Sequence, residues 1–593
     1  MLGKKSTAES PSHISPRVFT SRFRAFFFKT EPPSFSISTW LFGRVLGIVS
    51  LIAFLSYWHQ AEAIIGEHGI NPWQEDLKKI ESLPQVKESF WNKWSLRPTL
   101  LWILPFPDHD ILFATGTIFA TFLAIGFLPL LSGTISYLCY LSLMVVGEPF
   151  LSFQWDILLV ETLLLSLPLL PGIKFHHMSS PVRQSTWARL LIIALLTKLM
   201  LESGIVKFTY FDADGSNAWR ELNALQYHYW TQPLPHGFSN WIDSFPRWFD
   251  SLSLYFMYAV ELGLPFLFFM PGNLRRFAAL GQILLQVLIL LSGNYGFFNL
   301  LTVLLCIPLI DDRIWSNLIR KKTEQISLSR TIRWKSALRD TSLFVLWTFF
   351  LATTWKHLSN DIRGNRTNLE METLGSKWID EMQMISRPFR CFNSYGLFRV
   401  MTKTRPEIII ETSKDAQSWE LAKFKWKPSH PQQKPRFAGP HMPRIDWQMW
   451  FEGLNFERYA AHPFSRFLYG RFLEMTANGA DLSDFSDLRR VLGDQEFNAL
   501  SQASPKVQKQ VMNNYNNLIN SFLSRSLWFG RLLNKILENR QEVLEQLHVD
   551  NDTSLPPQFL RISLMHYQFS NTDDSFWEAN EIPHATYQIK RTE

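Results

Sequence analysis

Long apolar stretches follow one another through the first part of the chain, and the last part has the mixed pattern of a soluble protein. A helix needs about 20 mostly apolar residues to cross the core of a bilayer. Nine stretches are candidates for such helices, although several are shorter: 40–58, 111–131, 135–146, 157–170, 187–205, 252–269, 277–291, 297–310 and 341–355. The pattern predicts a polytopic α-helical membrane protein with about nine spans. Because Glu148, Pro149 and Glu161 interrupt the third to fifth stretches, re-entrant or buried pieces stay open as an alternative there.

Shorter elements replace the apolar runs in the C-terminal part. A short apolar run predicts a strand at 406–412, and alternation of apolar and polar residues predicts strands at 419–426, 561–569 and 585–590. The first two are predicted to form a β-hairpin through the turn sequence SKDAQS. Helical spacing predicts helices between them: 443–460, 463–474, 505–525 and 527–548. We therefore predict a basic tail, a multi-span membrane domain and a soluble α+β domain with an antiparallel sheet: 1–38, 39–357 and 358–593.

The distribution of lysine and arginine explains the net charge of +7. Alternate loops hold about 18 basic residues, and the opposite loops hold about seven. By the positive-inside rule, this places the N-terminus in the cytoplasm and the C-terminal domain on the far side. The far side is the endoplasmic reticulum lumen of a eukaryote or the periplasm of a bacterium. The basic runs are thus topology signals, and we expect no nucleic-acid partner. The first stretch lacks a small-residue cleavage site, so it predicts an anchor rather than a signal peptide.

The chemistry-bearing residue types offer little for catalysis. The three cysteines, Cys139, Cys306 and Cys391, lie far apart and form no CxxC or CxxH motif. Neither a zinc site nor a disulfide framework is therefore predicted, and we expect no cofactor. A nucleophile elbow, an HExxH motif and a phosphate-binding loop are also missing in a convincing context. The sequence favours a role other than catalysis without deciding it.

Charged residues inside the apolar stretches are the exception, because charge within a membrane is costly and often functional. They are Asp156, Glu161, Lys198, Lys207 and Glu261. The carboxylates are interpreted as partners in ion pairs within the bundle, with a catalytic or transport role as the alternative. Lys207 is expected near the far-side boundary, where it acts as an anchor or in an ion pair. A general base with a lowered pKa is the alternative for this lysine.

Two further groups are candidates for binding a partner. The first is the aromatic loop after the fifth stretch, with Tyr227, His228 and Tyr229. We expect this loop to dock the C-terminal domain or to help present its surface. The second group lies in the C-terminal part and comprises Arg399, Arg444, Asp446, Trp447 and Trp450. An Arg444–Asp446 pair beside two tryptophans is interpreted as a domain-packing motif, with a protein-binding surface as the alternative.

Several motifs together resemble the lipase maturation factor family, from about residue 40 to 570. They are FQWDILL at 153–159, LNAL at 222–225, TQPLP at 231–235, FFNLL at 297–301, YGLFRVM at 395–401 and DWQMW at 446–450. The resemblance implies a multi-pass, chaperone-like protein of the endoplasmic reticulum membrane that assists the folding and assembly of secreted lipases. It implies that the lumenal C-terminal domain binds these clients. A bacterial member would lie in the inner membrane.

A second, local resemblance concerns the membrane region of vitamin K-dependent carboxylases. The segment SGIVK at 203–207, followed by Trp219 and LNAL, is similar to a region in which those enzymes use a lysine as base. The likeness transfers only to Lys207. The leading hypothesis is therefore a membrane-anchored maturation factor whose partners are the lipid bilayer and exported client proteins such as lipases. The alternative is a membrane enzyme with Lys207 as general base.

Overall fold

The computed structural model describes most of the chain, in these ranges: 34–86, 89–180, 185–319, 333–366, 376–480, 482–548, 556–570 and 575–592. The tail predicted at 1–38 lies outside these residues up to position 33. The described residues are mostly helical, with a small antiparallel sheet in the C-terminal part. This confirms the predicted mostly helical fold with an antiparallel sheet in the C-terminal part.

Fourteen α-helices precede residue 364 in the described part of the chain. They are α1 Ser36–Ile65, α2 Trp73–Ser82, α3 Phe90–Leu96, α4 His109–Ile125, α5 Pro129–Val146, α6 Gln154–Ser166, α7 Thr186–Thr209, α8 Leu225–Thr231, α9 Gly237–Asp243, α10 Arg247–Tyr258, α11 Asn273–Ser292, α12 Phe298–Cys306, α13 Asp312–Ile319 and α14 Arg333–Arg363. Each of the nine apolar stretches overlaps a helix, but the second, 111–131, runs past the end of α4 and across a turn into α5. Helix α10 continues as the π-helix Ala259–Gly263 and the 3-10 turn Leu264–Leu267.

Only some of these helices meet the length of a bilayer by themselves. Among the described residues, α1, α5 and α11 are long and apolar enough to cross a membrane. Shorter apolar helices lie at His109–Ile125 and Phe298–Leu309. The prolines at 168 and 265 explain part of the shortening, because a proline inside a helix removes a backbone hydrogen bond and forces a tighter turn.

The apolar helices run alternately up and down between two ends of one bundle. At the near end, Ser34 donates a hydrogen bond to Asp312 at 2.7 Å, and Leu128 N donates to the Lys174 carbonyl at 2.8 Å. The N-terminus of α1, the α4–α5 turn, the α6–α7 loop and the start of α13 therefore share this end. The opposite, far end carries the C-terminal domain.

Helices α1 and α4 pack backbone against backbone. A side chain at Gly47 would overlap the backbone of Ala124, so only glycine allows the contact. Close approach through small residues is typical of helices inside membranes. Phe54 and Tyr140 continue the same core with an edge-to-face contact at 5.2 Å between ring centroids. The bundle is thus held by close packing of its centre.

The C-terminal part contains one four-stranded antiparallel sheet and eight α-helices among its described residues. The helices are α15 Ser376–Ser386, α16 Arg444–Ala460, α17 Pro463–Ala477, α18 Leu488–Leu492, α19 Asp494–Ser501, α20 Pro505–Arg525, α21 Leu527–Leu537 and α22 Gln541–Leu544. The strands are β1 Pro406–Ser413, β2 Glu420–Leu421, β3 Lys423–Phe424, β4 Leu547–His548, β5 Phe559–Phe569 and β6 Trp577–Lys590.

The sheet has the order β2-β1-β5-β6, so the strands near the end of the chain close it as predicted. The β1–β2 hairpin is confirmed by the pairing of Thr412 with Glu420. Its second strand is much shorter than the predicted 419–426. Residues 423 and 424 instead pair with β4 in a separate two-stranded sheet. After them the chain leaves the sheet because Trp426 N and Lys427 N donate to the Asp446 carboxylate, each at 2.9 Å.

Both faces of the sheet are covered. On one face, α16 contacts β1 so closely that a side chain at Gly453 would overlap the Pro406 carbonyl. On the other face, Tyr229 and Trp230 of α8 form a buried cluster with Ile409, Tyr567, Phe569 and Trp577. The aromatic loop therefore does dock the C-terminal domain. This burial on both sides explains why nearly every residue of β1 is buried.

Candidate functional site

The strongest concentration of buried polar groups lies where the C-terminal domain meets the far end of the bundle. We call this surface the junction; it comprises segments 389–405 and 436–450 and the bundle residues that they contact. Two of the five charged residues predicted inside the apolar stretches, Asp156 and Glu161, bind these segments directly.

Asp156 forms a fully buried ion pair with Arg444. The guanidinium donates to both carboxylate oxygens, at 2.9 and 2.8 Å, and both side chains are 0% exposed. Tyr140 donates a third hydrogen bond to Asp156 at 2.6 Å, and Arg444 also donates to the Phe150 carbonyl at 2.9 Å. A bidentate pair of this kind is directional and strong where water is excluded. It joins α5 and α6 to the first turn of α16.

The predicted pairing of these residues therefore changes. The sequence predicts that Arg444 pairs with Asp446 and that Asp156 pairs within the bundle, but Arg444 and Asp156 bind each other. The two residues are 288 positions apart in the chain. Asp446 instead caps the turn at 426–427, and burial raises its pKa to about 6. Spacing along one helix could not reveal a partner in another domain.

The two tryptophans beside Arg444 are also buried. Trp447 packs edge-to-face on Trp155 of α6, with ring centroids 4.8 Å apart. Trp450 Nε1 donates to the Thr231 carbonyl at 2.7 Å. These contacts favour the domain-packing interpretation of the 444–450 motif. Its role in binding a partner stays a hypothesis.

Glu161 lies deeper along α6 and receives a loop of the C-terminal domain. Its carboxylate accepts from Phe392 N at 3.1 Å, Asn393 Nδ2 at 2.7 Å and the Tyr395 hydroxyl at 2.7 Å. Glu161 and Tyr395 are both 0% exposed. The carboxylate is thus held by hydrogen bonds from neutral groups, which solvate it in place of water.

Helix α7 contributes a second carboxylate that the sequence analysis did not single out. Glu202 accepts from Tyr395 N at 2.6 Å and is fully buried. Lys198 precedes it by one helical turn, and its Nζ lies 5.8 Å from the centre of the Tyr395 ring. The Lys198 ammonium has no hydrogen-bond partner among the described residues. An i,i+4 search for opposite charges on α7 would have found Glu202 beside Lys198.

A buried cluster of charged residues connects the aromatic loop to β1. Arg405 pairs with Glu407 at 2.7 Å, and Lys427 pairs with the same carboxylate at 2.9 Å. Arg405 also donates to the carbonyls of Trp230 and Pro233, each at 2.9 Å. These residues were missed in the sequence because they look like ordinary strand-end charges. The predicted Arg399 lies nearby and donates to the Tyr210 hydroxyl at 3.3 Å.

Lys207 and Glu261 form a separate ion pair between α7 and the π-helix. The ammonium donates to the two carboxylate oxygens at 2.9 and 2.7 Å and to the Ser203 carbonyl at 3.1 Å. Both side chains are 7% exposed. All three protons of the ammonium are thereby used, so this geometry fits an ion pair and leaves no proton-accepting lone pair. His228 and Tyr295 lie close by, with 2.9 Å between His228 Nε2 and the Tyr295 hydroxyl.

The cysteines and one Asp–His–Asp group give weaker evidence of a functional site. Cys139, Cys306 and Cys391 are free thiols. Asp108, His109 and Asp110 bring ligand-type atoms within 4.8 Å of one another. Asp108 caps α4 through Asp110 N at 2.9 Å, and Asp110 accepts from Trp58 Nε1 at 2.7 Å. These structural roles account for the group without a metal.

A buried carboxyl of the C-terminal domain predicts a pH-dependent stability. Glu452 is 0% exposed, and burial raises its pKa from 4.5 to about 7. The folded state therefore binds the proton more tightly than the unfolded state, so stability falls as the pH rises through about 7. We expect Glu452→Gln to remove about 2 kcal/mol of the stability loss between about pH 5 and 8. Thermal melts across this range check it; an unchanged pH slope would contradict the assignment.

Comparisons with known proteins point to one family for both the helical part and the C-terminal part. A family model described as the lipase maturation factor transmembrane domain matches residues 37–317, and one described as the lipase maturation factor C-terminal domain matches 391–516. Lipase maturation factor 2 of Gallus gallus is 28% identical over 643 residues, covering 92% of this chain and 79% of that protein.

Two further relatives extend the comparison. Lipase maturation factor 2 of Homo sapiens is 31% identical over 519 residues, covering 70% of this chain and 71% of the relative. Lipase maturation factor 1 of Mus musculus is 28% identical over 448 residues, covering 72% and 75%. No solved structure matches the chain significantly.

Proposed function

Because the chain belongs to the lipase maturation factor family, we propose that it is a membrane-anchored folding factor that assists the maturation of exported proteins, with lipases as its clients. The observation that carries this proposal is the likeness to lipase maturation factors across both the helical and the C-terminal part. The name of the relatives supplies the client class. The local resemblance to carboxylases receives no support from these relatives.

The architecture supports a platform rather than a flexible tether. The C-terminal domain is tied to the bundle by the Asp156–Arg444 pair, the loop bound to Glu161 and the Arg405 cluster. A domain held in this way keeps a constant outer face toward exported chains. That face includes α20, where Val507 and Met512 are 46% and 40% exposed. We assign client contact to this outer face, because the 444–450 motif is buried.

We further propose nine spans with the N-terminus in the cytoplasm and the C-terminal domain in the endoplasmic reticulum lumen. The helices begin alternately at the near end and the far end of the bundle, and basic residues are concentrated near the near end. Both features support this orientation. Exposed aromatic side chains at the far end also fit a membrane boundary, among them Trp91, Trp241 and Trp248 at 73%, 53% and 66%. In a bacterial source, the inner membrane and periplasm would take these places.

Orientation is tested by glycosylation mapping in microsomes. An acceptor site introduced at residue 592 is expected to be glycosylated, and one introduced in the segment between α13 and α14 is not. The reverse result would overturn the orientation without affecting the family assignment.

The function is tested in cells that lack their own maturation factor. The full chain is expected to restore the activity of secreted lipase, with unchanged lipase synthesis. A matched pair of variants, Met512→Glu on α20 and Glu538→Lys after α21, separates the outer face from general surface effects. We expect only Met512→Glu to reduce client co-purification. Failure of the full chain, correctly inserted, to raise the activity of any secreted lipase would argue against the proposal.

The ion pair of Lys207 provides a test of the general-base alternative. Lys207→Ala leaves Glu261 buried without its partner, so we expect a loss of about 3 kcal/mol in stability, visible in a thermal melt of the purified protein. The double variant Lys207→Met with Glu261→Met removes both charges and should regain most of that stability. If client maturation returns with it, the ammonium has no chemical role. A stable double variant without function would instead favour the base.

A further inference from the structure

Three arginines converge at the near end of the bundle, where α7 and α11 begin. Arg189 lies in the first turn of α7, and Arg275 and Arg276 lie in the first turn of α11. The guanidinium groups of Arg189 and Arg275 both lie over the ring of Phe35, at 4.0 and 5.0 Å from its centre. Like charges at this separation repel each other unless an anion offsets them. We call the three residues the arginine cluster.

The backbone at the end of α12 holds two of these side chains in place. Arg275 Nε donates to the Leu309 carbonyl at 2.8 Å, and Arg189 Nη1 donates to the Pro308 carbonyl at 3.2 Å. Arg275 is only 6% exposed. Both guanidinium groups are therefore positioned by the fold itself, so a ligand does not have to order them.

One carboxylate serves the arginine cluster among the described residues. Asp311 accepts from Arg276 Nε at 3.0 Å and from Arg276 Nη2 at 2.7 Å, and Arg275 Nη2 lies 3.4 Å from the same carboxylate. Arg189 forms no ion pair with any carboxylate in the described part of the chain. The cluster thus carries three positive charges and shares one negative charge.

The other acidic groups nearby are committed to different contacts. Asp312 accepts from Ser36 N at 2.8 Å and from Ile37 N at 2.9 Å, which caps the start of α1. Asp340 pairs with Arg339 of the same helix at 3.0 Å. Within the described segments at this end, neither carboxylate offsets the excess charge of the arginine cluster.

The arginine cluster is accessible from outside the protein. Arg189 is partly exposed, and among the described residues only its Nη1 makes a hydrogen bond, which leaves Nε and Nη2 available as donors. The Arg276 side chain is 22% exposed. Helices α1 and α11 are long and apolar enough to cross a membrane, so their near ends lie at the level of the lipid head groups.

We propose that the arginine cluster binds the phosphate group of an anionic lipid in the leaflet at the near end. A guanidinium group donates two parallel hydrogen bonds, which matches the spacing of phosphate oxygens. Arg189 supplies the available donors, and Arg276 adds a second charge at the surface. A phosphate in this position offsets the repulsion and connects the starts of α7 and α11. A choline head carries its own positive charge, so a zwitterionic lipid gains less from the cluster.

The experiment uses the full chain in detergent micelles, titrated with phosphatidate or phosphatidylcholine. Bound lipid is counted by native mass spectrometry. We expect phosphatidate to bind about tenfold more tightly than phosphatidylcholine. Equal binding of the two lipids would overturn the proposal.

A soluble phosphate offers the same chemistry, so a further titration separates the two sources. Glycerol phosphate has the head of phosphatidate without its acyl chains. We expect glycerol phosphate at the concentration of the lipid to leave phosphatidate bound, because it lacks the hydrocarbon that lies in the membrane. Displacement of phosphatidate under these conditions would overturn the assignment to a lipid.

A matched pair of variants separates the arginine cluster from the general positive charge of the near end. Arg189→Gln removes the guanidinium that has no counter-ion and should weaken phosphatidate binding about tenfold. Lys174→Gln removes an exposed cation of the α6–α7 loop at the same end and should change binding less than about twofold. An equal loss in the two folded variants would show that diffuse charge attracts the lipid and would overturn the proposal.

Thermal melts keep folding and binding apart. Without added lipid, they check that each variant folds. With phosphatidate, the melting temperature should rise for the parent protein and for Lys174→Gln, and much less for Arg189→Gln. If Arg189→Gln does not fold, Arg189→Lys replaces it; this variant keeps the charge but not the planar fork, and we expect a loss of about threefold. Lipid binding is measured without any client protein, so its outcome is independent of the proposed function.

Discussion

Replacing Asp156 by alanine is expected to destabilise the protein by about 3–5 kcal/mol, because the Arg444 guanidinium is left buried without its counter-ion. Both side chains are 0% exposed, so water cannot replace the lost carboxylate. Since Arg444 lies in the first turn of α16, the C-terminal domain should loosen from the bundle. Thermal melting and limited proteolysis of the purified protein measure this effect, and secreted lipase activity should fall with it.

Two control variants test whether the loss of stability comes from the buried ion pair. Glu411→Ala removes an ion pair with Arg561 that is partly exposed, so its cost should be about 0–1 kcal/mol. The double variant Asp156→Ala with Arg444→Met removes both buried charges and should recover a large part of the loss. A melting temperature for Asp156→Ala no lower than that of Glu411→Ala would show that the pair contributes little to the junction.

Replacing Glu161 by leucine is expected to cost about 4 kcal/mol through a different mechanism. The change leaves Phe392 N and the Tyr395 hydroxyl as buried donors without an acceptor, each at about 1–3 kcal/mol. It also removes one of the two hydrogen bonds of Asn393 Nδ2, which keeps its bond to the Arg390 carbonyl. We expect the loop at 390–396 to become sensitive to protease before the rest of the domain. The time course of cleavage, followed by mass spectrometry, checks this order.

Glu161→Gln is the matched control for this loop. The amide keeps one oxygen acceptor at the same position, so part of the network should survive and the loss should be about half as large. If leucine and glutamine have the same effect, shape rather than hydrogen bonding holds the loop. If neither variant alters cleavage near residue 392, Glu161 does not anchor the loop.

The helices and strands were largely predictable because their patterns are local. Helix α7 follows from the long apolar stretch at 187–205, and the pairing of β1 with β5 fits a short apolar run and an alternating segment. The prediction was weakest where a distant group intervened. The strand expected at 419–426 is cut short because Asp446, about 20 residues away, captures the backbone at 426 and 427.

The charged residues inside the bundle also differ in what was predictable: their presence was local information, and their partners were not. Their presence in apolar stretches was visible, and an ion pair was the leading interpretation for the carboxylates. Their partners were not visible, because Asp156 binds Arg444 across 288 positions and Glu161 binds residues more than 230 positions away. Lys207 and Glu261, 54 positions apart, meet only because the π-helix packs against α7.

The sequence alone determined the helical membrane domain, the separate α+β domain and the resemblance to lipase maturation factors, since periodicity and local motifs express these directly. Only the tertiary structure decided which charges meet, that the 444–450 motif is buried, and that three arginines converge at the near end of the bundle. The physical reason is that ion pairs and charge clusters depend on distances between segments far apart in the chain. Those distances are set by packing of the whole fold.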